Sequence, residues 1–350
     1  MWPFSTAQLT AGLRRYFADP TLHVRACHDS ARPAVPGDTQ GAIRGLRVDY
    51  AVTGGMASLD TVVKQPRGTT RRGLAGTGVR EAGLYRTLSA LVPVTTPALI
   101  AADPAGSWLV LESVESDIPP SAWGREHYLE AVRLLAATHE RFWGLAEDLS
   151  VFDWLSRALS TDFDIYVLAA VNAVERMVAE DRPRVITGSL EVLNTLGLLL
   201  TQVERVAEKL RTIPPTLLHG DYRPSNVALV DGDQVAFGWG QAAVGPGLLD
   251  LCAFVDNCRW DQPDLPLGLD EIWGAYRAEM TARVGIVWTD DDFEELIDYA
   301  RMWRLIQDLL EWAASSPPAV FDPIAARFDS LYLQPALDSV QKRLRPALYL

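Results

Sequence analysis

The chain has 350 residues, with 32 Lys and Arg against 45 Asp and Glu, a net charge of −13 with histidines neutral, and it is 48% hydrophobic and 22% charged. This is a globular composition, away from the low-hydrophobicity, high-charge region where chains stay disordered, and the length suits two domains or two lobes. The acidic balance excludes a nucleic-acid partner from the expectations, because such partners are held mainly by clustered Lys and Arg.

Three cysteines, Cys27, Cys252 and Cys258, form neither a C-x-x-C pair nor an even set, so no disulfide framework or zinc knuckle is expected and a reducing cytosol fits. Met1-Trp2-Pro3-Phe4-Ser5 has no basic segment followed by an apolar one, and Arg14 and Arg15 interrupt the first amphipathic stretch. No export signal is expected. The greasiest window, 193–203, is bracketed by Glu191 and Glu204 and is about half the ~20 residues a membrane span needs. The expectations are therefore a cytoplasmic location and no membrane partner; oligomeric state is left open.

From residue 23 to 114 the chain reads as strands with one helix. Alternation and β-branched residues mark strands at 23–29, 42–52 and 58–65, with Thr53-Gly54-Gly55 supplying a hairpin turn between the last two. A helix is predicted over 79–91, with Leu84, Leu88 and Leu91 on one face, then short strands at 98–101 and 108–113. Pro119-Pro120 breaks the pattern, and beyond it the chain reads as mainly helical. A helix over 121–144 starts at Ser121 as N-cap and carries Tyr128, Val132, Leu135 and Phe142 at helical spacing. Further helices are predicted at 152–159, 164–179, 189–211, 269–284, 291–314 and 323–343. One hairpin, 227–230 and 234–237 around Asp231-Gly232-Asp233, interrupts them. The expected organisation is α+β: a small antiparallel β N-lobe over 1–114, a hinge at 115–120, and a larger, mainly helical C-lobe over 121–350.

The strongest chemical signal is His219-Gly220-Asp221-Tyr222-Arg223-Pro224-Ser225-Asn226, of the form H-x-D-x4-N. Phosphoryl transfer to a hydroxyl needs a carboxylate that orients the nucleophile and accepts its proton. It also needs an amide oxygen on the metal that neutralises the phosphates, and a loop with Asp and Asn five apart offers both, in Asp221 and Asn226. Upstream, Lys64 ends a strand and Glu81 lies on the next helix. A strand lysine aimed at the α/β-phosphates and held by a helix glutamate is the second half of such a site.

In this order, Lys64, Glu81, a hinge after Glu112-Ser113-Val114 and then H-x-D-x4-N with a hairpin, the chain resembles the aminoglycoside phosphotransferase and choline kinase family, a branch of the protein-kinase-like fold. The resemblance covers roughly residues 20–260 and is closest over 217–254. It extends to Leu135-Ala136-Ala137-Thr138-His139, matching L-x-x-x-H, and to Gly245-Pro246-Gly247-Leu248-Leu249-Asp250-Leu251, matching G-x-x-x-x-D-L. It implies a two-lobed protein-kinase-like fold, ATP or GTP with Mg²⁺ as cofactors, and a small-molecule hydroxyl as acceptor. By the same resemblance the backbone from Glu112 through Val114 to Glu115 takes the adenine edge, and His219 and Asp250 are supporting residues, with Asp250 bracing the loop. Sugars, aminoglycosides and amino alcohols all remain open as acceptors.

One departure stands against these matches. After the hairpin the family shows an apolar residue, Asp and an aromatic, the Asp being the main Mg²⁺ ligand, whereas this chain has Phe237-Gly238-Trp239-Gly240. Either the site is impaired, which would leave a ligand-binding or scaffold protein, or another carboxylate compensates, Asp231, Asp233 and Asp250 being nearest in sequence. The phosphate-covering loop is expected over 31–41. Gly73-Leu74-Ala75-Gly76-Thr77-Gly78 reads as a linker, with Arg67, Arg71 and Arg72 beside it in a solvated loop. Ser339-Val340-Gln341-Lys342 reads as chance, and the acid-rich text from Asp256 to Asp298, including Asp261, Asp264, Asp290, Asp291 and Asp292, as a solvated acidic face.

Overall fold

The computed structural model describes residues 2–30, 41–66, 71 and 73–345. The strands are β1 His23–Asp29, β2 Gly41–Val52, β3 Gly55–Pro66, β4 Leu99–Ala102, β5 Leu109–Glu112, β6 Thr216–Leu218, β7 Val227–Val230, β8 Asp233–Ala236 and β9 Ala243–Gly245. The helices up to β6 are α1 Thr6–Tyr16, α2 Thr77–Thr87, α3 Arg125–Arg141, α4 Phe163–Glu180, α5 Arg184–Thr187, α6 Leu190–Thr201 and α7 Val203–Leu210. Those after β9 are α8 Leu248–Asp261, α9 Leu269–Val284, α10 Asp290–Arg304, α11 Leu310–Ser315, α12 Pro318–Phe321, α13 Ala325–Phe328 and α14 Gln334–Arg343. They form two compact units. One comprises Met1–Pro119, Asp153–Leu155 and Asn226–Ala242, the other Pro120–Phe152, Ser156–Ser225 and Ala243–Leu350. The H-x-D-x4-N stretch thus passes from the second unit to the first at its asparagine.

The first unit is built on a five-stranded antiparallel sheet in the order β1-β2-β3-β5-β4. Val52 pairs with Gly55, so Thr53-Gly54 is a two-residue turn, and Gly54 takes φ +103°, which the turn asks of a glycine. Alternation along β3 sends Thr61 and Val63 into the core and turns Lys64 to the other face. Leu46, Val48, Val63 and Val110 pack with Trp108 and with Leu9 and Leu13 of α1. Each such leucine, fully buried, contributes about 1.5–3 kcal/mol. The sequence reading did not include α1 as a helix, although Ser5 and Gln8 form a capping box at its start. The β7–β8 hairpin belongs to this unit, and Ala236 N–H donates to Thr95 O at 2.8 Å.

The second unit is helical apart from the β6–β9 pair, in which Leu217 lies opposite Val244. Within it α3 packs on α9, α10 on α7, α8 and α14, and α4 on α11. Trp303, Tyr276, Phe254 and Phe328 are fully buried in its core. Among the described residues no helix is long and apolar enough to cross a membrane.

Several predicted helices differ in extent, for physical reasons. α3 begins at Arg125 rather than Ser121, because the Gly124 N–H is satisfied by His127 Nδ1 at 3.0 Å while Ser121 sits in a separate 3₁₀ turn. Residues 152–159 are not helical: Val244 N–H of β9 donates to Ser156 O at 2.8 Å, and Arg157 N–H donates to Asp162 Oδ2 at 2.7 Å, so other partners take backbone groups a helix would use. The stretch 189–211 divides at Gln202 into α6 and α7. Five-residue π-helical segments, Leu305–Leu309 and Asp329–Leu333, interrupt the other two long predictions.

Candidate active site

In the first unit Lys64 stands on β3 between Ile43 of β2 and Leu109 of β5. Its Nζ lies 2.9 Å from Glu81 Oε2, with side-chain exposures of 14% and 1%. The contact is an ion pair, and neither Glu81 oxygen has a well-angled hydrogen bond. What fixes Glu81 is the seating of α2. A Cβ on Gly78 would stand 2.0 Å from Gly106 O and one on Gly83 2.6 Å from the Trp154 ring, so the helix is pressed on two sides where only glycine fits, and one on Gly240 would lie 3.3 Å from Thr77 Cβ, a close approach on a third. Tyr85 follows Glu81 by one turn. Burial and the Glu81 carboxylate push its hydroxyl well above the usual tyrosine range, with the Gly238 N–H acting the other way.

Glu112 ends β5 with its groups already engaged. Its N–H donates to Ala98 O at 2.9 Å, and its carboxylate accepts from Ala98 N–H at 3.1 Å and from Tyr16 Oη at 3.3 Å. An adenine edge would therefore find its donor at Val114, whose backbone has no hydrogen bond to another described residue, and not at Glu112. The loop expected to cover the phosphates, residues 31–40, and Arg67 and Arg72 lie outside the described residues.

The other feature of this unit is the open end of the β7–β8 hairpin. Phe237 N–H donates to Asn226 O at 2.9 Å, and Gly238 follows at φ +83°, ψ +34°. A Cβ on Gly238 would stand 3.1 Å from both Cγ and Oδ1 of Asn226, so a side chain at 238 would project against the asparagine amide. Mg²⁺ is usually held through one or two carboxylates in a near-octahedral set of oxygens. Here Asn226 offers one neutral oxygen and Gly238 none. Among the described residues no three His, Cys, Asp or Glu side chains are grouped to hold a metal. The donor set present does not fit the ion the resemblance implies.

The suggested substitutes do not mend this. Val227 pairs with Ala236 and Val230 with Asp233, so Asp231 and Asp233 sit at the hairpin tip, four residues or roughly 13 Å from the open end. Asp231 is a turn residue at φ +51° whose N–H donates to Asp117 Oδ2. Asp250, 1% exposed, already serves the backbone.

In the second unit the loop after β6 is drawn around that aspartate. Asp250 Oδ2 accepts from His219 N–H at 2.6 Å and Oδ1 from Gly220 N–H at 2.8 Å. Two successive amides can converge on one carboxylate because Gly220 takes φ +80°. His139 Nε2 lies 3.5 Å from Asp250 Oδ2, and its Nδ1 shares a 2.8 Å hydrogen bond with Tyr276 Oη. A Cβ on Gly247 would come within 2.5 Å of both of those atoms, which ties the G-x-x-x-x-D-L text to the L-x-x-x-H helix. Asp221 follows this braced turn, its N–H donating to His219 Nδ1 at 3.2 Å. Tyr222 anchors the next residue through Ala131 O.

Two charged pairs here escaped the sequence reading. Arg223 Nη2 donates to Asp261 Oδ1 at 2.6 Å, and Arg304 pairs with Asp256 in the interior. The solvated acidic face holds for Asp264, Asp290, Asp291 and Asp292, which are exposed, and fails for Asp261 and for Asp256 and Asp298 at the ends of that stretch, which are buried. Ser339 is structural, donating to Asp298 Oδ1 and Pro335 O.

A model of the phosphotransferase enzyme family matches residues 46–284. Among solved structures, the candidate aminoglycoside phosphotransferase of Ralstonia eutropha JMP134 is similar at TM-score 0.57 and 15% identity, over 97% of this chain and 99% of that one. The choline kinase of Cryptosporidium parvum gives 0.57 and 11%, over 97% and 98%. The ADP-bound aminoglycoside phosphotransferase APH(2'')-Ib gives 0.52 and 13%, over 96% and 99%. Comparison with curated proteins gives no match. At these identities the structures speak for the fold, a kinase-like α+β fold with an antiparallel sheet in the N-terminal region and a mainly helical C-terminal region. A family match over about two thirds of the chain, on a fold its solved neighbours share nearly end to end, makes this chain a member of the phosphotransferase enzyme family.

Proposed function

We propose that the chain moves the terminal phosphoryl group of a nucleoside triphosphate, ATP or GTP, onto a hydroxyl of a small molecule of the aminoglycoside, sugar or amino-alcohol kind. The observation that carries this reading is the Lys64–Glu81 pair, a charge pair kept out of water on a strand and helix of the sheet unit. Taking two such charges from water is unfavourable unless they serve each other and a ligand well. In this reading Glu81 holds Lys64 toward the α/β-phosphates and Val114 meets the base. Asp221, on the turn that Asp250 braces, orients the acceptor hydroxyl. As the acceptor oxygen bonds to the γ-phosphorus, the bond from phosphorus to the β,γ-bridging oxygen breaks. The hydroxyl proton passes to Asp221, and the nucleoside diphosphate leaves.

The test is a screen of hydroxylated metabolites for nucleoside diphosphate release by the full chain. With an acceptor in hand, Asp221→Asn is expected to lower turnover by about 10²–10⁴-fold, the usual contribution of a general base, with nucleotide affinity nearly unchanged. A variant that keeps near-full turnover overturns the role.

Gly238 favours a second reading, a nucleotide-binding member with impaired transfer. Gly238→Asp and Gly238→Ala meet the same left-handed backbone, at about 1 kcal/mol, and the same crowding by Asn226, so their difference isolates the carboxylate. If metal chemistry survives, the Asp variant binds ATP more tightly than the Ala variant with Mg²⁺, and the gain vanishes with EDTA. Equal affinities favour the impaired member.

A further inference from the structure

The first unit holds a cavity of about 440 Å³ that the proposed reaction does not use. Three elements of that unit wall it. Gln8, Ala11 and Arg15 lie along one face of α1, Tyr85 and Arg86 come from the last turn of α2, and β4 with Trp108 forms the remaining side. The volume falls within the range of about 300–1,000 Å³ usual for small-molecule sites. The frame is tight where α1 meets β4, because a Cβ on Gly12 would stand 2.2 Å from Ile100 O and the helix backbone therefore lies directly on the strand. Tyr85 and Trp108 are 6% and 4% exposed, so the aromatic walls are held by the core.

The charge of this cavity is opposite to that of the chain. Arg15 and Arg86 line it and no Asp or Glu does, in a chain of net charge −13. Both arginines are exposed. Arg86 Nη2 donates to Ala102 O at 3.3 Å, and Arg15 makes no ion pair among the described residues, whereas Arg44 and Arg47 of the same unit pair with Asp29 and Asp60. A cation in the last turn of a helix is favoured by the dipole, which accounts for one arginine on each of α1 and α2. It does not account for both bordering one concave surface with aromatic walls and no acid to neutralise them. β4 is also the edge strand of the sheet, so its outer backbone groups have no strand beside them. Guanidinium groups match carboxylate and phosphate oxygens, and aromatic walls suit an apolar body.

We propose that this cavity binds a small organic acid, an apolar ring or short chain carrying one carboxylate or phosphate group, whose anionic end meets Arg15 and Arg86 and whose body lies against Tyr85 and Trp108. The site stands independently of the nucleotide-binding reading.

The experiment is calorimetric titration of the full chain with naphthoate and naphthyl phosphate, with naphthalenemethanol as the uncharged body and inorganic phosphate as the head group alone. At least one of the two acids is expected to bind at a single site, and the tighter of them identifies the head group. The alcohol and inorganic phosphate each lack half of the recognition and should bind about tenfold more weakly or worse. Arg15→Gln/Arg86→Gln should weaken the acid by about tenfold or more, the scale of one charge-assisted hydrogen bond. Ala11→Leu keeps both cations, narrows the cavity and should weaken the acid as well. Residues 11, 15 and 86 are all exposed, and if one variant fails to fold the other carries the test. No binding of either acid overturns the proposal, as does an alcohol that binds as tightly as the acids. A loss in the arginine variant with none in Ala11→Leu puts the anion outside the cavity and overturns it too, and so does an affinity that neither variant changes.

Discussion

Removing the Lys64 ammonium leaves a carboxylate that is 1% exposed without its counter-ion. Breaking a buried pair from one side typically destabilises by about 3–5 kcal/mol, whereas replacing both partners by apolar groups of similar volume is near neutral or better. Lys64→Ala is therefore expected to lower the urea midpoint strongly, and Lys64→Met/Glu81→Leu to restore it while nucleotide binding stays lost. A single variant as stable as wild type would show that the pair carries no buried charge of consequence. The two residues were legible because each sits at a recognisable place, the end of a strand and the following helix, and because their order relative to the His219–Asn226 stretch narrows the possibilities. Arg223 and Asp261 were not: 38 residues separate them, and nothing local tells an aspartate in acid-rich text that its partner is a loop arginine. At Glu112 position alone could not show that its N–H already donates to Ala98 O, which leaves its carbonyl and the Val114 N–H as the backbone groups for a base.

At the level of elements, α2 is the piece whose placement decides whether Glu81 meets Lys64. Gly78 sets its first turn, and an added Cβ there would stand 2.0 Å from a backbone oxygen that no side-chain motion can relieve. Gly78→Ala is expected to destabilise by about 1–3 kcal/mol through overpacking and to weaken nucleotide binding as Glu81 shifts with the helix. Gly197→Ala is the matched control. It lies mid-helix in α6 with nothing within 4 Å of the new methyl, and should stabilise by roughly 0.5–1 kcal/mol. Urea midpoints and ATP titration on both variants check this, and equal effects on binding would show that α2 is not the lever. Elements were legible where local signals coincide. The Thr53-Gly54 turn fixes the β2–β3 hairpin, and α9 was expected over 269–284 and is found as Leu269–Val284. They were illegible where distant groups decide, as when β9 takes the Ser156 carbonyl from an expected helix, or where strands are three residues long, as in β6 and β9.

On the scale of the whole molecule, titratable groups hidden in the core make stability depend on alkaline pH. Cys252 and Cys258 are fully buried, and burial, joined by the Asp256 carboxylate at Cys252 and by the Asp261 and Asp256 carboxylates at Cys258, pushes both thiols well up. In the unfolded chain a thiol releases its proton near pH 8.5. Above that the native state binds more protons than the unfolded state, so stability falls as pH rises, by about 1.4 kcal/mol per pH unit for each such group. Two thiols predict a loss of about 2–3 kcal/mol between pH 8.5 and 9.5. The phenols of Tyr85, Tyr128, Tyr222, Tyr276 and Tyr332, all raised chiefly by burial, steepen the fall above about pH 10, where free tyrosine ionises. Urea midpoints measured with reductant present at pH 7.5, 8.5 and 9.5 should therefore fall slightly over the first interval, by about 0.7 kcal/mol, and about three times as far over the second. Cys252→Ala should remove about half of that drop, whatever its effect on the midpoint at pH 7.5, because the slope counts protons and the offset counts packing. A midpoint that holds steady to pH 9.5 would mean that the thiols ionise in the native state as readily as in the unfolded one, which the burial of both side chains opposes.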